Sequence, residues 1–342
     1  MILMPLVDEP EFTLDLKLMD TLAEDFSVNS GLILDKQGNS WMLWRCDELE
    51  GWWQVFEEKM DSPMGRKLAN SACDEEENLL ESEDFNVRGF FKRKKKLSAI
   101  KKRWATHGWG NPVVTPASFT TPTLNPIVAG FLQAQLEKID NQRYKMRWEQ
   151  KKFSACILSL ESYSGFIPPA KKIGKRYSRS DPYKIEIETG WKIDGVSHHL
   201  LPSGLFLRLQ ESCSGLTANV DSDERKCWPK VSEGFLSMAI ASKNIFIAGE
   251  ELFLAADVDD WIDNCKNILG SRGLGAPDSI QSLDDYGGVE LRFSHIPIPS
   301  IAIGMLAGMW VRCEGKPVKV GVKFLEEATI ITLTSRYNLS TK

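Results

Sequence analysis

The sequence is poor in the residues from which most catalytic and metal sites are built. Its 342 residues include four histidines, His107, His198, His199 and His295, so acid–base or metal chemistry built on imidazole has few places to occur. The seven cysteines, Cys46, Cys73, Cys156, Cys213, Cys227, Cys265 and Cys313, are odd in number and never form C-x-x-C. That spacing fits reduced, buried thiols better than a disulfide framework or a zinc cluster. No G-x-S-x-G nucleophile elbow occurs, and the free cysteines show no local base that would activate them. Asp221, Asp223 and Glu224 lack the glycine and closing glutamate of an EF-hand and read as a polar loop. The expected catalytic residues, metal ligands and cofactors are therefore none.

Long apolar stretches are missing too: no run reaches the ~18 residues that a membrane-spanning helix needs. The opening "MILMPLV" passes into "DEPEF" without a basic n-region, unlike a signal peptide, and the expected location is cytoplasmic. A net charge of -5 argues against a protein devoted as a whole to nucleic acid, while leaving local basic patches open. What is present is a globular composition, 42% apolar and 26% charged, in a chain long enough for two domains. The 11 tryptophans bring large buried area and read first as core, with a ligand-lining role as the alternative.

Comparing the chain with itself yields a repeat. "NPIVAGFLQAQLEKIDNQRYKMRW" (125–148) aligns without a gap on "PSIAIGMLAGMWVRCEGKPVKVGV" (299–322), setting Gly130 on Gly304, Leu132 on Leu306, and Asn141 on Gly315. Each copy reads as an amphipathic helix, a turn of positive φ and a hairpin, closed by "FSACILSL" in one and "ATIITLTSR" in the other. Upstream, "HGWG" (107–110) matches "RGLG" (272–275), a Gly-x-Gly suited to stopping a helix rather than cradling phosphate. An early hairpin, "GLILD" then "WMLWRC", opens the first copy, and "GLFLRLQ" is expected as a strand of the second. Gly304 and Gly308 are spaced G-x-x-x-G, read as close packing or a gap for a ligand. The Pro-, Gly- and Ser-rich stretch 164–184 is the expected linker between repeats at 1–163 and 185–342.

This order resembles the vinyl-reductase ligand-binding domain family and its vesicle-tethering, TRAPP-like relatives. The resemblance rests on the Gly-Trp-Gly ending a long helix, then "NPIVAGFLQAQLE" or "SIAIGMLAGMW", then the closing hairpin. It implies an α+β fold in two related domains, each an antiparallel sheet packed with helices, fused as an internal pseudo-dimer. It also implies a non-enzymatic protein that binds a hydrophobic small molecule or a protein partner. The paired cysteines that some members carry near the closing hairpin are absent, which puts a metal in doubt.

The loudest local signal is "FKRKKKLSAIKKRWATHGWG" (91–110). In the second copy its place is taken by the acidic "DVDDWIDNCKNILGSRGLG", so what the copies share is the helix and not the charge. Phe90, Leu97, Ile100 and Trp104 keep an apolar stripe, while Lys92, Lys95, Lys96, Lys102 and Arg103 fall elsewhere on the helix. The expectation is a solvated face partly compensated by the acids of "DEEENLLESED" (74–84), with binding to acidic lipid or to nucleic acid as alternatives. If a ligand is bound, the expected lining is Trp44, Trp52, Phe56, Trp104, Trp109 and Phe131, an apolar pocket between the first copy's helices and sheet. A competing expectation is an enzyme whose site lies between the halves and uses His198 or His295 with nearby acids.

Overall fold

The computed structural model describes residues 13–81, 92–152, 155–251, 253–255 and 257–337. The first half runs α1 (Leu16–Asp25), β1 (Ser27–Asn29), β2 (Leu32–Leu34), β3 (Ser40–Arg45), α2 (Cys46–Met60), α3 (Gly65–Glu81), α4 (Lys92–His107), β4 (Asn111–Val114), β5 (Ala117–Thr120), α5 (Asn125–Asp140), β6 (Arg143–Lys152) and β7 (Ala155–Tyr163). The second runs β8 (Asp181–Pro182), β9 (Lys192–Ile193), β10 (Val196–Pro202), α6 (Ser203–Ser212), α7 (Ser222–Arg225), α8 (Glu233–Ala248), α9 (Val258–Cys265), a π-helical turn at Lys266–Gly270, β11 (Ser279–Ser282), β12 (Val289–Phe293), α10 (Pro299–Glu314), β13 (Val318–Phe324) and β14 (Thr329–Ser335). This is an α+β fold of antiparallel sheets packed against helices.

Three sheets carry the chain. Two have four strands and the same order, β4-β5-β7-β6 and β11-β12-β14-β13, each made from one half alone. The third, β8-β1-β2-β3-β10-β9, takes strands from both halves and joins them where β3 pairs with β10. Leu43 faces Leu200 at the centre of that pairing, with Trp41 opposite Pro202 on one side and Arg45 opposite His198 on the other. Each central strand turns directly into a helix, β3 at Cys46 and β10 at Ser203. The helices then cross over. α2 packs on α8 of the other half, where Trp52 Nε1 donates to Ser242 Oγ at 2.9 Å, and α6 packs on α3, where Arg208 Nε donates to Glu75 Oε2 at 2.7 Å.

Two glycine pairs explain why the helices can lie so close. A Cβ on Gly130 would run into the Ala69 carbonyl and lie 2.8 Å from the Ala72 Cβ, and one on Gly304 would run into the Ala239 carbonyl and lie 2.7 Å from the Ser242 Cβ. Both contacts seat the long helix of a half, α5 or α10, on a neighbour that runs parallel to it, α3 or α8: Gly130 lies by Ala69 and Gln135 by Glu76, and Gly304 lies by Ala239 and Arg312 by Gly249. Gly308 continues the second contact against Phe246, so the G-x-x-x-G spacing serves helix-on-helix packing rather than packing on the sheet. Gly108 and Gly273 have φ of +75° and +78°, and each crosses to the other half. A Cβ on Gly108 would lie 2.9 Å from the His198 carbonyl of β10, and one on Gly273 would meet the Trp41 carbonyl of β3. These turns stop their helices and also lay them on the partner strand.

Several expectations change. "GLFLRLQ" forms helix α6 and not a strand: the strand is the stretch before it, and a short run buried on all sides has no period to separate the two states. His198 and His199 point to opposite faces of β10, His198 half-buried and His199 fully buried. The last residues of the stretch 164–184 are part of the central sheet: β8 pairs with β1, and Tyr177 N donates to Gly38 O at 2.9 Å. Arg103 is buried and not on a solvated face, and Glu76 receives its guanidinium in two hydrogen bonds of 2.7 and 2.8 Å. Ile100 and Trp104 keep the apolar stripe, while Phe90 lies outside the described residues.

Gly130→Ala and Gly304→Ala should each destabilise the chain by about 1–3 kcal/mol, because a backbone carbonyl must shift to admit the methyl group. Gly65→Ala is the control, since its Cβ would find nothing nearer than 3.8 Å. Urea denaturation of the three variants checks this: two large, similar losses are expected beside a small effect at Gly65.

Candidate functional site: two cavities on the central sheet

The face of the central sheet that carries Trp41, Leu43 and His198 borders two cavities, one against β3 and the first half's elements and one lying across the β3–β10 seam. The smaller, of about 300 Å³, lies against Phe26, Gln37, Trp41, Thr106 and His107. The larger, of about 700 Å³, lies against Tyr183, Asp194, His198, Ser271 and Arg272. These residues hold matching places in the two halves. Trp41 and His198 each come five residues before their helix starts at Cys46 and Ser203, and Phe26 and Tyr183 each come twenty before. His107 and Arg272 each immediately precede the first glycine of a Gly-x-Gly turn.

The side chains at those places make the two cavities unlike. In the smaller one His107 is clamped between indoles, its ring centroid 4.6 Å from that of Trp41 and 4.7 Å from that of Trp109. Phe26 closes the stack edge-on, 5.6 Å from Trp41. His107 Nδ1 donates to the Arg103 carbonyl at 2.7 Å, and burial, reinforced by the Arg103 charge, holds its pKa well below that of an ordinary imidazole. Beneath the stack the Arg103–Glu76 pair is extended by Gln135, which donates to Glu76 Oε1 at 2.7 Å and accepts from Trp104 Nε1 at 2.8 Å. A buried ion pair survives only when its spare donors and acceptors are satisfied, and Gln135 and Trp104 contribute to that.

The larger cavity has an apolar floor, Val28, Leu43, Ile185, Ile193 and Val196, and polar groups around it. Arg272 is held by Glu251 through hydrogen bonds of 3.2 and 2.8 Å and stands 3.6 Å from Glu48, while Arg45 is held by Asp47. His198 Nδ1 lies 2.8 Å from the Val196 carbonyl, so it carries the proton and leaves Nε2 as an acceptor. Burial, with the charges of Arg45 and Arg272, lowers the His198 pKa and keeps the ring neutral. The Tyr183 hydroxyl is buried without a hydrogen-bond partner, and burial pushes its pKa up.

The six aromatic residues expected to line one pocket fall into two packed groups. Trp44, Trp52 and Phe56 pack with Phe206 on the helix side of the sheet, with centroids 5.3–5.4 Å apart along the chain of contacts. Trp104, Trp109 and Phe131 pack with Phe119 on the other side, Trp109 lying 4.2 Å from Phe131. Trp104 also borders a separate cavity of about 580 Å³ beside Trp191 and Gly108. The residues that sequence reasoning passed over are Tyr183, Leu43, Val196 and Arg272. The matching of "HGWG" with "RGLG" pointed at Arg272, but nothing local marked the others.

The chemistry available to the titratable groups is limited by burial. Cys46 Sγ and His199 Nδ1 meet at 3.1 Å, a spacing that suits a nucleophile and its base. Burial pushes the thiol up to about 12 and the imidazole down to about 3, so at neutral pH the pair is uncharged. The proposed acid–base pairing of His198 with a carboxylate is replaced by its bond to a backbone carbonyl, and the His295 ring instead meets Tyr177 at 5.3 Å. Among the described residues no group of three or more His, Cys, Asp or Glu side chains is placed to hold a metal ion, and Asp221 spends its carboxylate capping α7.

Two expected outcomes follow from burial. Arg103→Ala leaves Glu76 without its cation and should cost about 3–5 kcal/mol by urea denaturation. Unfolded imidazoles take up protons below about pH 6.5, whereas His199 in the folded chain does so only near 3. Stability should therefore fall as pH drops below 6.5, by about 1.4 kcal/mol per pH unit for each such histidine. His199→Gln should reduce that slope by one proton's worth when denaturation midpoints are compared between about pH 7 and pH 5.

No protein-family model matches this chain, and no curated protein or solved structure matches it either.

Proposed function

We propose that this chain is a non-enzymatic binding protein, an internal pseudo-dimer of two related α+β halves, and that the larger sheet-face cavity receives its ligand. The observation that carries the reading is the pair of cavities at matching positions. One is narrowed to about 300 Å³ by the stacked rings of Trp41 and His107 at its wall, and the other, bordered by His198 and Arg272, has about 700 Å³ and room for a small molecule of some tens of atoms. The repeated element order, the seam centred on Leu43 and Leu200, and the matched contacts of Gly130 and Gly304 support the duplication. The neutral Cys46–His199 pair favours binding over covalent chemistry.

The lining describes the ligand: an apolar body for the floor of Val28, Leu43, Ile185, Ile193 and Val196, and one hydroxyl-bearing end to donate to His198 Nε2. The arginines are already paired with carboxylates, so a neutral ligand suits the cavity better than an anion. Native mass spectrometry of freshly purified protein should show a retained mass, and a panel of aromatic and long-chain alcohols should raise the melting temperature. Val196→Trp, which fills the cavity, should abolish both effects. His198→Ala should weaken hydroxyl-bearing ligands by about 1–2 kcal/mol and leave their deoxy analogues unchanged. No retained mass and no shift with any compound would reject the reading.

A further inference from the structure

Between β7 and β8 the chain presents an uncommon combination. Phe166 is 88% exposed and Ile167 is 42% exposed, and within ten residues they are followed by the exposed Lys171, Lys172, Lys175 and Arg176. A second basic run lies on α4, whose Lys94, Lys95, Lys101 and Lys102 are also exposed. Among the described residues no ion pair holds any of these four lysines.

The fold brings the two runs to one side of the molecule. Lys172 Nζ stands 3.6 Å from Glu81 at the end of α3, and five residues later Tyr177 N is bonded to Gly38 O in the turn between β2 and β3. The segment therefore spans from the end of α3 to that turn. The smaller cavity lies along the same path, bordered by Leu79 of α3, Gln37 of the turn and Lys102 of α4. Among the described residues, three of the acids on this side are already engaged: Asp25 with Lys36 at 2.6 Å, Asp35 with the Gln37 and Asn39 amides, and Glu81 with Lys172. The result is a cationic face on a chain of net charge -5, with two exposed apolar side chains four and five residues ahead of Lys171 in the chain.

We propose that this face docks on an anionic lipid bilayer, with Phe166 and Ile167 entering the headgroup boundary and the two basic runs lying over the phosphates. Basic side chains beside a membrane gain from its negative surface potential, and exposed apolar side chains gain from the acyl boundary. A nucleic acid would use the same cations but has no need of an exposed isoleucine. The face is separate from the larger cavity, so the proposal stands independently of the ligand reading.

The test is co-sedimentation of the full chain with phosphatidylcholine vesicles with and without about 30% phosphatidylserine, at roughly 0.1 M and roughly 0.5 M salt. Binding is expected only to the anionic vesicles and should collapse at high salt. The quadruple change Lys171→Gln, Lys172→Gln, Lys175→Gln and Arg176→Gln should weaken it by at least about tenfold. Phe166→Ser with Ile167→Ser should weaken it several-fold at unchanged charge. These sites are exposed, so melting temperatures should match the parent. Failure to bind anionic vesicles, or equal binding to neutral ones, overturns the proposal. So does a serine variant that binds as the parent does while a single-stranded oligonucleotide competes fully, which would leave a polyanion surface in its place.

Discussion

The antiparallel pairing of β3 with β10 is the constraint on which the rest of the molecule depends. The two four-stranded sheets each belong to a single half, and the helices that follow the central strands pack on that central sheet and on helices of the other half. Once Leu43 faces Leu200, α2 leaves toward α8 and α6 toward α3, so each half completes its helical layer with an element of the other. The Gly-x-Gly turns then reach back across the seam to the Trp41 and His198 carbonyls, where any side chain would hold the backbones apart. Separating the halves would expose both helical layers and an open sheet edge together, which is why they act as one structural unit.

Polar groups buried by this exchange are neutralised in one of two ways. Where charge is kept, it is paired and hydrogen-bonded: Arg103 with Glu76 and Gln135, Arg208 with Glu75, Arg272 with Glu251. Where pairing is missing, the group is held uncharged by burial, as for His199, Cys46 and Tyr183. The second course removes the thiolate of Cys46 and the imidazolium of His199, and leaves the imidazole a much weaker base than usual.

The same framework makes two different cavities because the frame is set by backbone pairing and the lining by side chains. A phenylalanine, a tryptophan and a histidine at three places give a ring stack over a buried ion pair. A tyrosine, a histidine and an arginine at the matching places give a larger space with polar groups around an apolar floor. Size and polarity thus differ between two cavities that share one register of β3 and β10.

Much of the local structure was legible in the chain. The helix–turn–hairpin unit and the left-handed Asn141 and Gly315 that end α5 and α10 follow from short-range rules of period and positive φ. Composition likewise announced the aromatic core. Only tertiary structure decided that "GLFLRLQ" is a helix, since a segment buried on every side shows no alternation to read. Only it turned Arg103 inward, because the Glu76 that receives it lies on another helix, and residues 27 apart in the chain carry no joint signal. The grouping of the cavity residues was hidden for the same reason: Leu43, Tyr183, His198 and Arg272 come from separate segments, and their proximity results from the pairing across the seam, which no local pattern encodes.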